Sequence, residues 1–484
     1  MVSLNAIRKR SDLDSVASAV RHGSSHSRLN IRTNADDGAV NPGQMSLLRA
    51  PATATLPIMP ASVVAPTRED FDPLSQEYLR DPMAAYQQIH AATPVFFIPQ
   101  LGSWIITRYD DVVAALKDVE TFSSKSIDIY PLSPALRELV PDEDDRIVRA
   151  LMANQVVLTD PPQQTIIRRT AQATFTRKRV DATLDRVEAL CAELVEEIAP
   201  RGEAELMADF NHRFTLRVVG DMLGLEIDDL PRFQEMIVDF FSLMVPANAD
   251  VSHMSVPDEE VAARFSRLVD GYRYFAALVE DRRSAPRDDM ATAMIELRDG
   301  TGAPVMTTEM ILAHMIGIMA AGTDTTANLL GSAVRRLTEH PDVRDAALAD
   351  PTLWPAVVEE ALRRESPADK TYRLATRDVE VRGEMIPKGS TVILSFSGAN
   401  GDAERFRDPL AFDINRPEIT GSVAFGVGRH FCLGAPLVRP EARIALERLF
   451  TRLDGLAADL DTPQRFAPLP AMRMREALPV TWER

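Results

Sequence analysis

One segment near the C-terminal end of the chain carries the residue best suited to metal chemistry. It contains one of only two cysteines in the protein and runs Phe425-Gly426-Val427-Gly428-Arg429-His430-Phe431-Cys432-Leu433-Gly434. A thiolate is a strong, soft ligand for iron, and it needs backbone donors and a sheltered pocket to stay ionised. The glycines allow a close backbone approach, so that amide N–H groups can point at the sulfur. For an arbitrary intracellular cysteine, a buried structural role in a turn is the better interpretation.

Every fixed position of the pattern Phe-Gly-x-Gly-x-His-x-Cys-x-Gly is present, and the segment resembles the haem-ligand loop of the cytochrome P450 family. The resemblance implies that Cys432 is the thiolate ligand of the iron of haem b. It also implies that His430 lies close to a haem propionate and that Phe425, Gly426 and Gly434 contact the cofactor. The expected reaction uses O2 as co-substrate and two electrons derived from NAD(P)H.

A second motif, Ala321-Gly322-Thr323-Asp324-Thr325-Thr326, lies inside an apolar segment that predicts a helix from about 308 to 339. Thr and Asp are poor residues for a helix interior because their side chains compete for backbone groups. A satisfied capping cluster is the alternative, but capping belongs at helix ends. In the family that the chain resembles, this is the groove where O2 binds. There Asp324 and Thr325 would relay protons from solvent.

Small residues near Thr325 predict room for haem, oxygen and a substrate. From helical spacing we expect Gly317, Ala320 and Ala321 to share a face with Thr325, with Ala321 against the haem. The resemblance implies that the segment after residue 367 passes over the haem. The predicted substrate pocket is formed by Gly317, Ala320, Ala368 and Thr371.

Two arginines and one ion pair extend the resemblance. Arg168 and Arg373 match arginines that bind haem propionates, a contact suited to guanidinium. For Arg168 alone, a solvated position on a helix face is the alternative. Glu360 and Arg363, spaced i,i+3, match a structural pair that ties into the segment before the Cys432 loop. Gln164 stands where many relatives have a histidine, so the propionate contact from this helix would depend mainly on Arg168.

Two other positions depart from the family pattern. Gly401 replaces an arginine in Asn400-Gly401-Asp402, and the sequence suggests no role for the change. Pro440, inside the helix predicted after Cys432, predicts a kink.

Composition restricts the classes of partner. The net charge of −17 argues against nucleic acid or an anionic membrane as a partner. Two cysteines, Cys191 and Cys432, make a disulfide framework implausible and favour the reducing cytoplasm. No apolar run reaches the roughly 18 residues of a membrane span.

The first 65 residues differ from the rest in composition. They are rich in Ser, Ala, Asn and Arg and lack sustained periodicity, which predicts a disordered extension. A weak organellar presequence and a later translation start at Met45 or Met59 are the alternatives. The haem-thiolate domain is expected over residues 66–484.

These features together predict a mainly α-helical haem-thiolate monooxygenase with a small β-rich region, monomeric and of bacterial type. A haem-thiolate peroxygenase or isomerase, or a non-catalytic haem sensor, is the alternative. The resemblance implies a separate ferredoxin as electron donor, docking on the face around the Cys432 loop. The predicted contacts there are Arg169, Arg429, Arg439 and Arg443.

Overall fold

Helices form most of the chain in the computed structural model, which describes residues 71–90, 92–129, 131–246, 256–469 and 472–484. The predicted mainly α-helical fold with a small β-rich region is confirmed. The predicted extension over residues 1–65 lies outside the described residues. The helices are α1 (Gln76–Arg80), α2 (Pro82–His90), α3 (Tyr109–Lys117), α4 (Pro134–Leu139), α5 (Asp142–Ala153), α6 (Gln163–Thr174), α7 (Arg177–Ile198), α8 (His212–Leu223), α9 (Leu230–Ser242), α10 (Asp258–Ser284), α11 (Met290–Glu296), α12 (Thr308–Glu339), α13 (Pro341–Ala349), α14 (Trp354–Glu365), α15 (Phe396–Asn400) and α16 (Ala435–Arg452).

The strands are short, and the larger group of them forms one sheet in the order β1-β2-β10-β7-β3. In that sheet β2 and β10 are parallel, and the other neighbours are antiparallel. The remaining strands pair in twos and threes around the helices. The strands are β1 (Val95–Ile98), β2 (Ser103–Ile106), β3 (Phe122–Ser123), β4 (Ile127–Ile129), β5 (Glu203–Glu205), β6 (Met244–Pro246), β7 (Lys370–Ala375), β8 (Val379–Val381), β9 (Glu384–Ile386), β10 (Thr391–Ser395), β11 (Ala457–Ala458), β12 (Phe466–Pro468), β13 (Arg473–Arg475) and β14 (Pro479–Thr481).

The 32-residue helix α12 runs through the centre of the helical region. It begins at an N-cap, where the Thr307 side chain accepts a hydrogen bond from Met310 N. It ends at Glu339, with His340 as the C-cap, because Pro341 cannot continue the backbone hydrogen bonding. The helix packs against α8, α10, α14 and α16, which explains why it is apolar on most sides. Within the described ranges, no helix is long and apolar enough to cross a membrane.

Helix α12 belongs to two apolar cores. Its first half, through Ala320, packs with α9, α10 and α11 in one cluster, and its second half, from Ala327, packs with α7, α14 and α16 in another. The change from one core to the other falls on residues 321–326, the segment that carries the acid and the alcohol. Because packed cores are rigid on both sides, this short segment is held at a defined depth in the protein.

Glu360 and Arg363 form a fully buried ion pair on α14. Both side chains are 0% exposed, and Arg363 Nη2 and Nε donate to the two carboxylate oxygens at 2.7 and 2.8 Å. The remaining guanidinium donors bind the carbonyl oxygens of Asn400, Pro409 and Ala411. The pair therefore joins α14 to the segment that leads to the Cys432 loop.

Gly401 lies where α15 packs on α2. Its carbonyl oxygen accepts a hydrogen bond from Gln87 Nε2 at 2.6 Å. A Cβ atom at this position would collide with the Met83 side chain. The tight packing of α2 against α15 thus explains the glycine.

Candidate active site

The Cys432 loop is a tight turn closed by backbone hydrogen bonds. Gly426 and Gly428 adopt φ values of +65° and +72°, which residues other than glycine rarely adopt. Gly426 N donates to Val423 O at 2.7 Å, and Cys432 N donates to Phe425 O at 2.9 Å. The cysteine itself is half-buried and unpaired with Cys191, the other thiol. The turn ends at α16, which continues through Pro440 to Arg452.

Opposing effects act on the Cys432 sulfur. Burial raises the pKa of the thiol, because low-dielectric surroundings disfavour the thiolate. Backbone N–H groups of Gly434 and Ala435, and the positive charges of Arg168 and Arg439, oppose that effect on the pKa. Burial is the largest of these influences, so the sulfur needs a further positive partner, such as a metal ion, to remain a thiolate.

A cluster of positive groups lies around His430, two residues before the cysteine. Arg373, on β7, is 3% exposed; its Nη1 donates to Tyr372 O at 2.6 Å and to Thr371 Oγ1 at 3.2 Å. Its buried Nε has no hydrogen-bond partner among the described residues. Burial lowers the pKa of Arg373 to about 10, against the opposing charge of Asp160. A buried guanidinium with an unused donor is suited to an anionic ligand.

His430 lies close enough to Arg373 to feel its positive charge. Its Nε2 is 2.9 Å from Ser124 Oγ, whereas its buried Nδ1 has no partner in the described part of the chain. Burial, together with the nearby positive charges of Arg373, Arg168 and Arg429, lowers the pKa of His430 to about 4, against the opposing charge of Asp160. The convergence of these cations on one place predicts a negatively charged group there.

One face of α12 stays accessible in the middle of the molecule. Gly317, Ala321 and Thr325 are exposed or half-buried, although the helix around them is mostly buried. Thr325 Oγ1 donates to Ala321 O at 2.6 Å. Ala368 and Thr371, the two predicted pocket residues from β7 and the segment before it, are also half-buried. This accessible face is a candidate binding surface for a flat cofactor and a substrate.

The prediction that Ala320 shares this face is wrong. Ala320 is fully buried in the core formed with α9, α10 and α11. At about 100° per residue, it lies roughly 140° around the helix from Thr325, which places it on another side. Gly317 does share the face, and the side chain of Gln155 packs where its Cβ would be.

Asp324 points away from Thr325. Its carboxylate Oδ1 lies 3.2 Å from Nδ1 of His212 on α8, and no hydrogen bond joins it to Thr325 among the described contacts. The acid and the alcohol are thus adjacent in sequence but lie on different sides of α12.

Comparison with known proteins identifies the arrangement. The family model for cytochrome P450 matches residues 142–350 and 345–479. The chain belongs to the cytochrome P450 family. It is 31% identical over 431 residues to the cytochrome P450 monooxygenase PikC of Streptomyces venezuelae, covering 87% of this chain and 96% of that protein. It is 31% identical over 378 residues to the 6-deoxyerythronolide B hydroxylase of Saccharopolyspora erythraea, covering 78% and 89%.

Solved structures agree with the assignment. Cytochrome P450 CYP109Q5 from Chondromyces apiculatus superposes with a TM-score of 0.72 at 30% identity, over 86% of this chain and 98% of that one. The predicted cytochrome P450 fold is therefore confirmed, and the chain is a member of a haem-thiolate monooxygenase family.

The residues of this cytochrome P450 fit haem. The unused Nε donor of Arg373 and the unpartnered Nδ1 of His430 in the described part of the chain, with Arg168 nearby, suit two propionates. The sulfur of Cys432 lacks a positive partner strong enough to offset burial, and haem iron supplies one. The accessible face of α12 at Ala321 suits the flat macrocycle.

Other contributors to the site are less evident from the sequence. Gln164 is buried, and its Nε2 donates to Arg429 O at 2.9 Å, so it anchors the Cys432 loop directly. The sequence signal for Gln164 is that it stands where many relatives have a histidine. Arg439 lies over the Phe425 ring, 4.6 Å from the centroid, and pairs with Glu359. His212 carries no local sequence signal at all.

Proposed function

We propose that this cytochrome P450 inserts one atom of O2 into a small, hydrophobic organic substrate. The two electrons come from NAD(P)H through a separate ferredoxin and its reductase. The observation that carries the proposal is the intact pair of Asp324 and Thr325, at the point where α12 passes between two cores and keeps one face accessible. Similarity to a named monooxygenase and a named hydroxylase supports the reaction class.

The cofactor would be held by residues from distant parts of the chain. Cys432 would bind the iron through its sulfur, and Arg168, Arg373 and His430 would bind the propionates. Phe425, Gly426, Gly434 and Ala321 would contact the macrocycle. When bound, haem supplies the iron centre at which O2 is reduced.

The chain's own part in the reaction is to supply protons and exclude bulk water. We assign Thr325 Oγ1 the role of donor on the accessible face of α12, where it is held by its bond to Ala321 O. We assign the buried carboxyl of Asp324 the role of proton store behind it. Because no direct bond joins the two in the described contacts, a water molecule is the simplest link between them.

The electron donor would dock near α6. Arg169 and Arg429 line an open groove of about 450 Å³ whose other walls are largely apolar and include the exposed Ile166. Neither arginine has an ion-pair partner among the described residues, so both charges are free to meet an acidic protein. The other predicted docking arginines are already paired, Arg439 with Glu359 and Arg443 with Glu447.

The proposal is tested in two steps. A reduced-CO spectrum should show the red-shifted Soret band that gives the family its name, and Cys432→Ser should abolish it; persistence of the band in the variant would contradict the ligand assignment. A screen for low-to-high-spin shifts, starting with 6-deoxyerythronolide B, should then identify a substrate.

Isotopically labelled O2 distinguishes the remaining candidates. With NADPH, a ferredoxin and its reductase, one labelled atom should enter the product. Turnover with hydrogen peroxide but none with NADPH, the ferredoxin and its reductase would indicate a peroxygenase. Unlabelled rearranged product would indicate an isomerase, and a CO band without any turnover a binding protein. Location in the cytoplasm and a monomeric state stay predictions from the sequence.

A further inference from the structure

His212 lies at the start of α8, between the solvent and α12. It is the first residue of α8 and follows a π-helical turn, Met207–Asn211. Such turns are rare and frequent at functional sites. The side chain of His212 is 21% exposed, whereas that of Asp324, 3.2 Å away from its ring nitrogen, is 2% exposed. The histidine thus spans from the solvent to the buried acid of α12.

The packing around this contact is closely determined. A Cβ on Gly322 would lie 2.9 Å from Val219 Cγ2, and one on Gly331 would lie 2.7 Å from Met207 Sδ. Two glycines, one on each side of Asp324, therefore let α8 and the π-helical turn approach α12. Next to His212, the fully buried Asn211 donates from Nδ2 to Ala327 O at 3.1 Å, which fixes the register between the two helices.

Charged neighbours on the π-helical turn and α8 are directed elsewhere. Arg213 binds both carboxylate oxygens of Glu197 on α7 at 2.8 Å. Asp209 accepts a hydrogen bond from Glu205 N and pairs with Arg201. In the described part of the chain, Asp324 is the one carboxylate at ion-pair distance from His212.

We propose that His212 is the proton donor that reloads Asp324 from solvent. This inference rests on the proposed function, in which Asp324 stores a proton. The Nδ1–H of the imidazolium passes its proton to Oδ1 of Asp324, leaving a neutral imidazole and a neutral carboxylic acid. Nε2 keeps its hydrogen, so the ring then rotates to bring Nδ1 to the solvent, where a hydronium ion restores the Nδ1–H and re-forms the imidazolium. Nδ1 and Oδ1 are close but not aligned as a hydrogen bond, so the transfer requires a small rotation of the ring.

The substitution His212→Gln distinguishes a proton donor from a residue that only positions the carboxylate of Asp324. A Gln at position 212 can still donate an amide hydrogen bond to Asp324, but it cannot transfer a proton. If His212 only positions the carboxylate, His212→Gln should behave like the parent enzyme. If it donates protons, the variant should lose turnover wherever protons must come from solvent.

The test compares two routes of turnover in the holoenzyme with 7-ethoxycoumarin as probe. With NADPH, a plant-type ferredoxin and its reductase, His212→Gln should slow O-deethylation roughly 10-fold and raise the H2O/D2O rate ratio. Hydrogen peroxide brings its own protons and electrons, so peroxide-driven deethylation and the reduced-CO band should be unchanged. His340→Gln, at the C-cap of α12, is the matched control and should leave both routes unaffected.

Unchanged donor-driven turnover in His212→Gln, or an equal loss by both routes, overturns the proposal. Inactivity of the parent enzyme by both routes would instead count against the proposed function. A second measurement then decides on His212 itself: ¹⁵N NMR of the histidine rings in the diamagnetic reduced-CO form. The Nδ1 resonance of His212 should shift in Asp324→Asn, and an unchanged resonance would overturn the proposal.

Discussion

Glu441 offers a sharp test of how burial controls ionisation in this protein. It lies on α16 at 1% exposure, and its Oε1 has no hydrogen-bond partner among the described residues. Burial raises the pKa of its carboxyl from an ordinary 4.5 to about 8, with no charged neighbour contributing to the shift. The perturbation we consider is Glu441→Gln, which keeps the shape and removes the ionisation.

Proton linkage determines how the free energy of unfolding changes with pH. Because the pKa of Glu441 is higher in the folded state than in the unfolded state, the folded protein holds more protons between pH 4.5 and 8. Its contribution to stability is fully present below pH 4.5 and is lost as the pH rises to about 8. The loss is about 1.4 kcal/mol per pH unit within this window, or about 5 kcal/mol in total as an upper bound.

The assay is urea unfolding of the holoenzyme, followed by far-UV circular dichroism at pH 5, 6, 7 and 8. The free energy of unfolding of Glu441→Gln minus that of the parent should increase by about 1.4 kcal/mol per pH unit. Glu447→Gln, on the same helix but partly exposed and paired with Arg443, is the matched control and should give a nearly constant difference. A difference that does not change with pH for Glu441→Gln would refute the reasoning.

Three other predictions follow from contacts of the site and its support. Thr325→Ala should leave the reduced-CO band intact while diverting electrons from product to hydrogen peroxide, and unchanged coupling would remove the hydroxyl from the proton path. Arg429→Glu should slow reduction by the ferredoxin in a salt-dependent way. Arg443→Glu should slow it less, because Arg443 is already paired with Glu447. Stopped-flow reduction at two salt concentrations checks both. Glu360→Gln should cost about 3–5 kcal/mol of unfolding free energy by leaving Arg363 unpaired in the interior. Glu359→Gln, the neighbouring partly exposed acid, should cost about 1 kcal/mol or less, and equal losses in urea unfolding would contradict the burial argument.

Local patterns were sufficient for much of the fold and for the candidate ligand. The glycines of the Cys432 loop act over a few residues, so their spacing in the chain already specifies the turn. The sequence motif also pointed to Gln164 as a departure, but only the structure shows that its amide binds Arg429 O.

The predicted pocket shows where local reasoning ends. The spacing of five residues places Ala320 roughly 140° around α12 from Thr325, and its side chain lies in the core with α9, α10 and α11. The contact of Gln155 with Gly317 could not be inferred from the sequence, because nothing in the chain indicates which distant residue covers that side of α12. These side chains meet through packing between elements that are more than 150 residues apart.

The sequence by itself determined the chemistry that is available: a thiol in a glycine-rich turn, an acid beside an alcohol within a helix, and arginines suited to carboxylates. Those properties depend on residue type and on short spacings. Tertiary structure alone decided which charges converge on His430 and that Asp324 faces His212 and not Thr325. It also decided that Glu441 is buried with its Oε1 lacking a hydrogen-bond partner in the described part of the chain. Each of these depends on which elements pack together, and the free energy of that packing is distributed over the whole core and not over any motif.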